Sequence, residues 1–131
     1  MNEYKEIWQC LKILGKEPNS FWETENIKDK LIALERISEI GLPNTISYLI
    51  PFLKKNNPII RERSCDIIII FFKRIKNKSN FYDILKHCDI DKSDIVRFSK
   101  IFLPDKYIYL LIIASLNKNG HIRQEAVSLL G

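Results

Sequence analysis

Apolar residues recur at steps of three and four along most of the chain, and this spacing predicts helices throughout. The clearest stripe consists of Ile27, Leu31, Leu34, Ile37 and Ile40. Alternation with a period of two, as a half-buried strand would show, is hard to find. Eight helices are predicted, over residues 3–14, 24–40, 45–56, 59–77, 80–88, 93–102, 105–117 and 120–130. The pattern therefore predicts an all-α protein.

Proline, glycine and asparagine mark the ends of these helices. Gly15 and Gly41 are placed to end the first two helices, and Asn44 is a good N-cap for the third. Pro51 lies inside the third helix and removes a backbone N–H, so a kink is expected there. Pro104 suits the first position of the seventh helix.

The fourth helix contains six consecutive apolar residues, from Ile67 to Phe72. A helix with apolar residues on every side has no face for water over that stretch. We therefore expect other helices to pack on both sides of it.

A short pattern recurs at the start of three predicted helices, where Ile27-Lys28, Ile60-Arg61 and Ile122-Arg123 occur. The three isoleucines are separated by 33 and 62 residues, the second interval being about twice the first. Val96-Arg97 is an intermediate copy out of even register. A fixed interval of this size between helix pairs is typical of a repeat protein.

The stretch over residues 41–68 resembles the HEAT-repeat family, in particular the short bacterial HEAT-like repeats also seen in phycobilisome lyases. The residues that carry the resemblance are Gly41, Pro43, Leu49, Leu53, Asn57, Pro58, Ile60 and Arg61, and residues 119–130 match the second helix again. The resemblance implies a right-handed α-α superhelix, a solenoid of about four helix pairs. Residues 79–103 depart from the pattern. We expect residues 1–131 to form one domain, and the absence of a polar capping repeat after Leu130 suggests a longer array.

An arginine near the start of a second helix has a structural explanation in such a stack. Arg61, Arg97 and Arg123 are expected to reach carbonyls or carboxylates of the adjoining repeat, with their aliphatic stems covering apolar surface. Contact with a ligand is the alternative.

The chain carries a formal net charge of +5, and its middle carries the excess. Residues 41–80 contain eight basic and two acidic side chains. The candidate partner-binding surface consists of Lys54, Lys55, Arg63, Lys73, Arg74, Lys76 and Lys78, with Arg61 beside them. Lysines at helix ends also serve solubility and the helix dipole, so a purely solvated surface is the alternative.

Two functions fit these features. The first is a non-enzymatic module or scaffold that binds a protein partner, of which a small inhibitory protein would be one form. The second is a nucleic-acid-binding protein that uses the basic surface, by analogy with HEAT-like alkylpurine DNA glycosylases, with Trp8 or Trp22 as the aromatic group. Spacing favours a buried Trp8, packed with Leu11, and Trp22 as a lid over the first pair.

Other chemistry finds little support. The four glycines stand alone, so a phosphate-binding loop is not expected. His87 and Cys88 are adjacent and cannot both point at one metal from a regular helix. We interpret the acidic residues Asp89, Asp91 and Asp94 as part of a solvated turn, in which Asp89 or Ser93 caps the sixth helix. We expect no enzyme activity, cofactor or metal.

The three cysteines, Cys10, Cys65 and Cys88, are widely spaced and odd in number. This usage fits reduced thiols buried in a cytoplasmic protein better than a disulfide framework. No apolar stretch is long enough to cross a membrane.

Overall fold

The computed structural model describes residues 2–17 and 26–131, and within them every regular element is a helix. The α-helices are α1 (Glu3–Gly15), α2 (Ile27–Ile40), α3 (Ile46–Leu49), α4 (Pro58–Ile75), α5 (Phe81–Leu85), α6 (Lys92–Ile101), α7 (Pro104–Ala114) and α8 (Gly120–Leu130). The 3₁₀ segments Pro43–Thr45 and Ile50–Lys54 flank α3. The prediction of an all-α chain is confirmed for the described residues. The predicted start of the second helix, residue 24, lies outside them.

Short polar side chains begin most of these helices by accepting hydrogen bonds from free backbone N–H groups. These N-caps are Asn2, Asn26, Asn57, Asp91 and Asn119. The prediction that Asn44 caps the third helix is wrong, because Asn44 lies inside a 3₁₀ turn and caps nothing.

The sixth helix is capped by Asp91, neither by Asp89 nor by Ser93. Its carboxylate accepts from the backbone N–H of Asp94, whose own carboxylate accepts from the N–H of Asp91, a reciprocal capping box. At Pro51 the backbone tightens into a 3₁₀ helix instead of bending as an α-helix. Gly41 ends α2 in the left-handed conformation, with φ of +69°.

Helix α4 is the centre of the molecule. It packs against α2, α3, the 3₁₀ segment Ile50–Lys54 and α7, so helices from before and after it in sequence contact it as expected. The apolar run Ile67–Phe72 is not covered on every side, because Ile70 is 37% exposed. Its buried side chains are Ile60, Ser64, Cys65, Ile67, Ile68, Phe71, Phe72 and Ile75. Removal of these apolar groups from water is the main driving force that holds the surrounding helices.

Most of the expected helix pairs are present. Helix α1 packs on α2, the segment Ile50–Lys54 packs on α4, and α7 packs on α8. The third pair is irregular: α5 has only five residues and packs on α3, while α6 packs on α7 and α8. Residues 79–103, which depart from the HEAT-like pattern in sequence, therefore do not form the expected helix pair either.

Within the described ranges, no helix has both the length and the apolar character that crossing a bilayer would require.

Candidate interaction surface

The turns that follow α1, the segment Ile50–Lys54, α5 and α7 are linked to one another. We call these segments, residues 16–17, 54–57, 86–91 and 115–119, the turn row. The first link is an ion pair between Lys55 and Glu17. The second is made by Lys54, whose Nζ lies 2.8 Å from Oδ2 of Asp94 and donates to the carbonyl of Asp89 at 3.3 Å. Each of these links joins one turn to the next along the chain.

The third link of the turn row is made by a buried amide. Asn117 is 5% exposed, and its Nδ2 donates to the carbonyl of Cys88 over 2.7 Å. Its Oδ1 accepts from the backbone N–H of Asn119 at 2.8 Å. Beside it, the backbone N–H of Lys118 donates to the carbonyl of Lys86 at 2.9 Å. Sequence reasoning missed Asn117, because nothing in the local pattern shows that a loop asparagine is buried.

The three arginines expected to bind an adjoining repeat fall into two classes. Nη1 of Arg61 donates to the carbonyls of residues 55 and 56 at 3.3 and 3.2 Å, and Nη1 of Arg123 donates to those of residues 117 and 118 at 2.9 Å each. Both therefore bind the turn before their own helix, and not an adjoining pair as expected. Arg97 does reach the preceding pair, since its Nη2 donates to the carbonyl of Lys54 at 3.0 Å.

The basic residues near the start of α4 are neutralised by acids from elsewhere in the chain. Arg63 pairs with Glu35 of α2, and its guanidinium lowers the pKa of that carboxyl by donating a hydrogen bond. Lys55 lowers the pKa of Glu17 in the same way. Lys54 pairs with Asp94. These three members of the predicted surface are structural ties between helices.

The remaining members lie at the other end of α4, and we call Lys73, Arg74, Lys76 and Lys78 the C-terminal cluster. All four are exposed, and none of them has an acidic partner among the described residues. Nζ of Lys73 lies 5.4 Å from the centroid of the Tyr109 ring, and the guanidinium of Arg74 lies 5.5 Å from that of Phe71. An 18-residue helix is about 27 Å long. The structure therefore divides the predicted basic surface into two separate ends.

A second set of ion pairs joins helices away from the turn row. Arg36 of α2 pairs with Glu6 of α1, and hydrogen bonding to Arg36 lowers the pKa of Glu6. Nζ of Lys106, at the start of α7, lies 2.7 Å from Glu62 and 2.8 Å from Asp66, and these carboxylates raise the pKa of Lys106. These pairs tie α1 to α2 and α4 to α7.

Three aromatic side chains stand at the surface where α1 meets α3. The prediction that Trp8 is buried is wrong: it is 50% exposed, and its ring lies edge-on to that of Tyr48, with centroids 5.0 Å apart. Tyr4, one helical turn before Trp8, is 55% exposed. The three surround a cavity of about 100 Å³, which we call the aromatic cleft; its lining consists of Tyr4, Ile7, Trp8, Leu11, Asn44, Thr45 and Tyr48. Trp22 lies outside the described residues.

The thiols are buried and unpaired. Cys10, Cys65 and Cys88 form no disulfide, and burial raises the pKa of Cys65 and of Cys88 to about 12. A protonated thiol is a poor nucleophile and a poor metal ligand. Across the two described ranges, no three His, Cys, Asp or Glu side chains come together in a group able to hold a metal ion.

Comparison of the chain with family models, with curated proteins and with solved structures gives no match. The fold and the surface geometry therefore carry the functional argument.

Proposed function

We propose that this chain is a right-handed stack of about four HEAT-like helix pairs that acts by binding a protein partner, without catalysing a reaction. The observation that carries the proposal is the turn row. When helix pairs stack by translation, the turns inside successive pairs lie side by side, and each bonds to the next. The contacts of Lys54, Lys55 and Asn117 have this order. The two similar turns at Arg61 and Arg123, each with an asparagine N-cap four residues earlier, add support for a repeated unit.

The proposed binding role is supported by the surface. The aromatic cleft exposes Tyr and Trp side chains, the residue types that most often dominate the energy of protein interfaces. The proposed setting is the cytoplasm, and the three unpaired cysteines support it.

Partner capture with surface variants tests this function. The chain would be used as bait in an extract of its native host, beside a cleft variant (Trp8→Ala with Tyr48→Ala) and a variant of the C-terminal cluster (Lys73→Glu with Lys76→Glu). We expect a partner that one variant loses and the other retains, in a complex of fixed stoichiometry. A turnover that depends on one side chain would overturn the proposal.

The architecture has its own test. An experimental structure in which each pair is related to the next by a shift and a right-handed rotation supports the stack. Helices arranged around one common axis, without a shift from pair to pair, would contradict it.

Nucleic-acid binding is a second candidate, and the observation that favours it is the C-terminal cluster. Four basic side chains that neutralise four phosphates would release the DNA's bound counterions and give a slope of log affinity against log salt no steeper than about −4. Binding of duplex DNA should then weaken between 50 and 200 mM salt and disappear in the variant Lys73→Glu with Lys76→Glu, whereas Lys92→Glu on α6 should retain it. Absence of binding at low salt removes this candidate.

A further inference from the structure

The aromatic cleft differs in its lining from the larger concavity along α2, which aliphatic and charged side chains of that one helix line. Single exposed apolar side chains are common in soluble proteins and need no explanation. Tyr4, Trp8 and Tyr48, in contrast, are each about half exposed and enclose one cavity between two helices. Large aromatic groups gathered at a concave point of the surface are typical of the centre of a binding site.

The size of the cleft limits what enters it. The cavity volume of about 100 Å³ equals the volume that roughly three water molecules occupy in the liquid. That is room for one compact apolar group of a ligand, such as a proline ring or a short aliphatic side chain. A drug-sized ligand needs a pocket of about 300 Å³ or more. The cleft therefore fits one anchor group of a longer molecule that runs across the surface.

The aromatic side chains of the cleft carry three groups that can donate hydrogen bonds. The indole N–H of Trp8 and the hydroxyls of Tyr4 and Tyr48 make no hydrogen bond to any of the residues that the structure describes. An extended peptide in the polyproline II conformation has no internal hydrogen bonds, so its carbonyls are free to accept from such groups. Proline rings also pack well on aromatic side chains, and aromatic-lined grooves recognise proline-rich segments for these reasons.

The charge beside the cleft is positive. Lys5 and Lys12 lie three residues before and four residues after Trp8, so both are its neighbours on the outer surface of α1. Both are exposed, and neither has an ion-pair partner within the described ranges. The acid that lies on the same helix between them, Glu6, is already bound to Arg36. Glu3 at the start of α1 is the remaining acid of this helix.

This charge decides between two ligands that aromatic groups attract. An ammonium group would bind over the electron-rich faces of Trp and Tyr, but two free lysines beside Trp8 repel it. Carboxylates are attracted by the same lysines. The partner that complements the surface is therefore apolar at its centre and acidic at its ends.

We propose that the aromatic cleft binds an extended, proline-containing segment of a partner protein, with the proline seated in the cavity beside the contacting rings of Trp8 and Tyr48 and flanking acidic residues beside Lys5 and Lys12. This inference rests on the proposed function and names the partner's chemistry at one surface.

Synthetic peptides provide the test. The probe is a fluorescein-labelled octapeptide with a central Pro-Pro-Leu-Pro and two glutamates at each end. One matched peptide has lysines at the ends, and another keeps the glutamates but has a Gly-Ser core. Fluorescence anisotropy measures binding to the full chain, and the indole N–H resonance of Trp8, assigned from Trp8→Phe, reports the site by NMR.

We expect the first peptide to bind and to shift the Trp8 resonance, with each matched peptide weaker by at least about tenfold. Trp8→Ala and Tyr48→Ala should each weaken binding by about tenfold or more. Tyr82→Ala, a change of an equally exposed tyrosine on α5, should leave it unchanged. Lys5→Glu with Lys12→Glu should remove the preference for glutamate over lysine ends. Circular dichroism checks that each variant is folded.

Three outcomes would overturn the inference. They are no binding of the proline peptide at millimolar concentration, equal binding of the lysine-ended peptide, and an unchanged Trp8 resonance when binding occurs. A partner captured from extract that is retained by the cleft variant and lost by the cluster variant would reject this inference and leave the proposed function standing.

Discussion

The buried amide of Asn117 offers the sharpest test of the turn row. Replacement by alanine removes its donor to the carbonyl of Cys88 and its acceptor for the N–H of Asn119. Cys88 is only 2% exposed, so its carbonyl has little access to water and keeps only the hydrogen bond that it accepts from the backbone N–H of Ile90 at 3.0 Å.

The expected cost follows from these two losses. Each of the two hydrogen bonds that the variant loses contributes about 0.5–1.5 kcal/mol. We therefore expect Asn117→Ala to lower the free energy of unfolding by about 1–3 kcal/mol. For a chain of this length each kcal/mol corresponds to about 3–5 °C in Tm, so the variant should melt about 3–15 °C lower.

Urea and thermal unfolding, followed by circular dichroism, measure this loss. The control is Asn2→Ala, which removes an exposed N-cap whose Oδ1 accepts from the N–H of Tyr4 at 2.9 Å. That change should cost only about 0.5–1 kcal/mol. If Asn117→Ala costs no more than the control, the buried link between the turns does not hold the last pair in place, and the reasoning is refuted.

Further changes test individual positions. Gly41→Ala should lower stability by about 1 kcal/mol or more, because φ is +69° there, whereas Gly15→Ala, which meets no atom within 4 Å, should be neutral or stabilising in the same melts. In the native protein, Cys65 and Cys88 should resist a thiol reagent at pH 8 and react once urea is added; fast native reaction would contradict their burial. Since the pKa of both thiols is about 12 when folded and near 9 when unfolded, the free energy of unfolding should fall as pH rises from about 9 to 12. Hydrogen bonds from the Ser93 hydroxyl and the Asp94 N–H lower the pKa of Asp91. The ionised carboxylate therefore stabilises the folded protein fully above about pH 4, and this contribution is lost as the pH falls further. Asp91→Asn should flatten the acid dependence of the free energy of unfolding, measured by urea titrations at pH 2–7.

The helices were predictable from sequence because their signals are local. Spacing of apolar residues and the end signals at Gly41 and Pro104 depend on a few neighbouring positions. The error at Trp8 has the same origin. Its spacing places Trp8 on the apolar side of α1. The buried face of this helix is centred on Ile7, Cys10 and Leu14, and α3 covers only part of the neighbouring face on which Trp8 lies. Sequence spacing does not reveal how far a neighbouring helix reaches.

The charges illustrate the other limit. Counting charged residues along the chain gives an excess of basic side chains in its middle. The acids that neutralise two of them lie far away in sequence: Asp94 is 40 residues from Lys54, and Glu35 is 28 residues from Arg63. No local window contains both members of such a pair. Which cations are free for a partner is thus a property of the packing.

The hydrogen bonds of Arg61 and Arg123 bear on how the molecule assembles. Each arginine closes a loop of only five or six residues by binding the carbonyls of its own turn. Closing so short a loop costs little chain entropy and waits for no distant part of the polypeptide. During synthesis, Arg61 and the two carbonyls that it binds leave the ribosome before residue 123 has been made. The turn at Arg61 is therefore expected to form before the turn at Arg123, in the direction of translation.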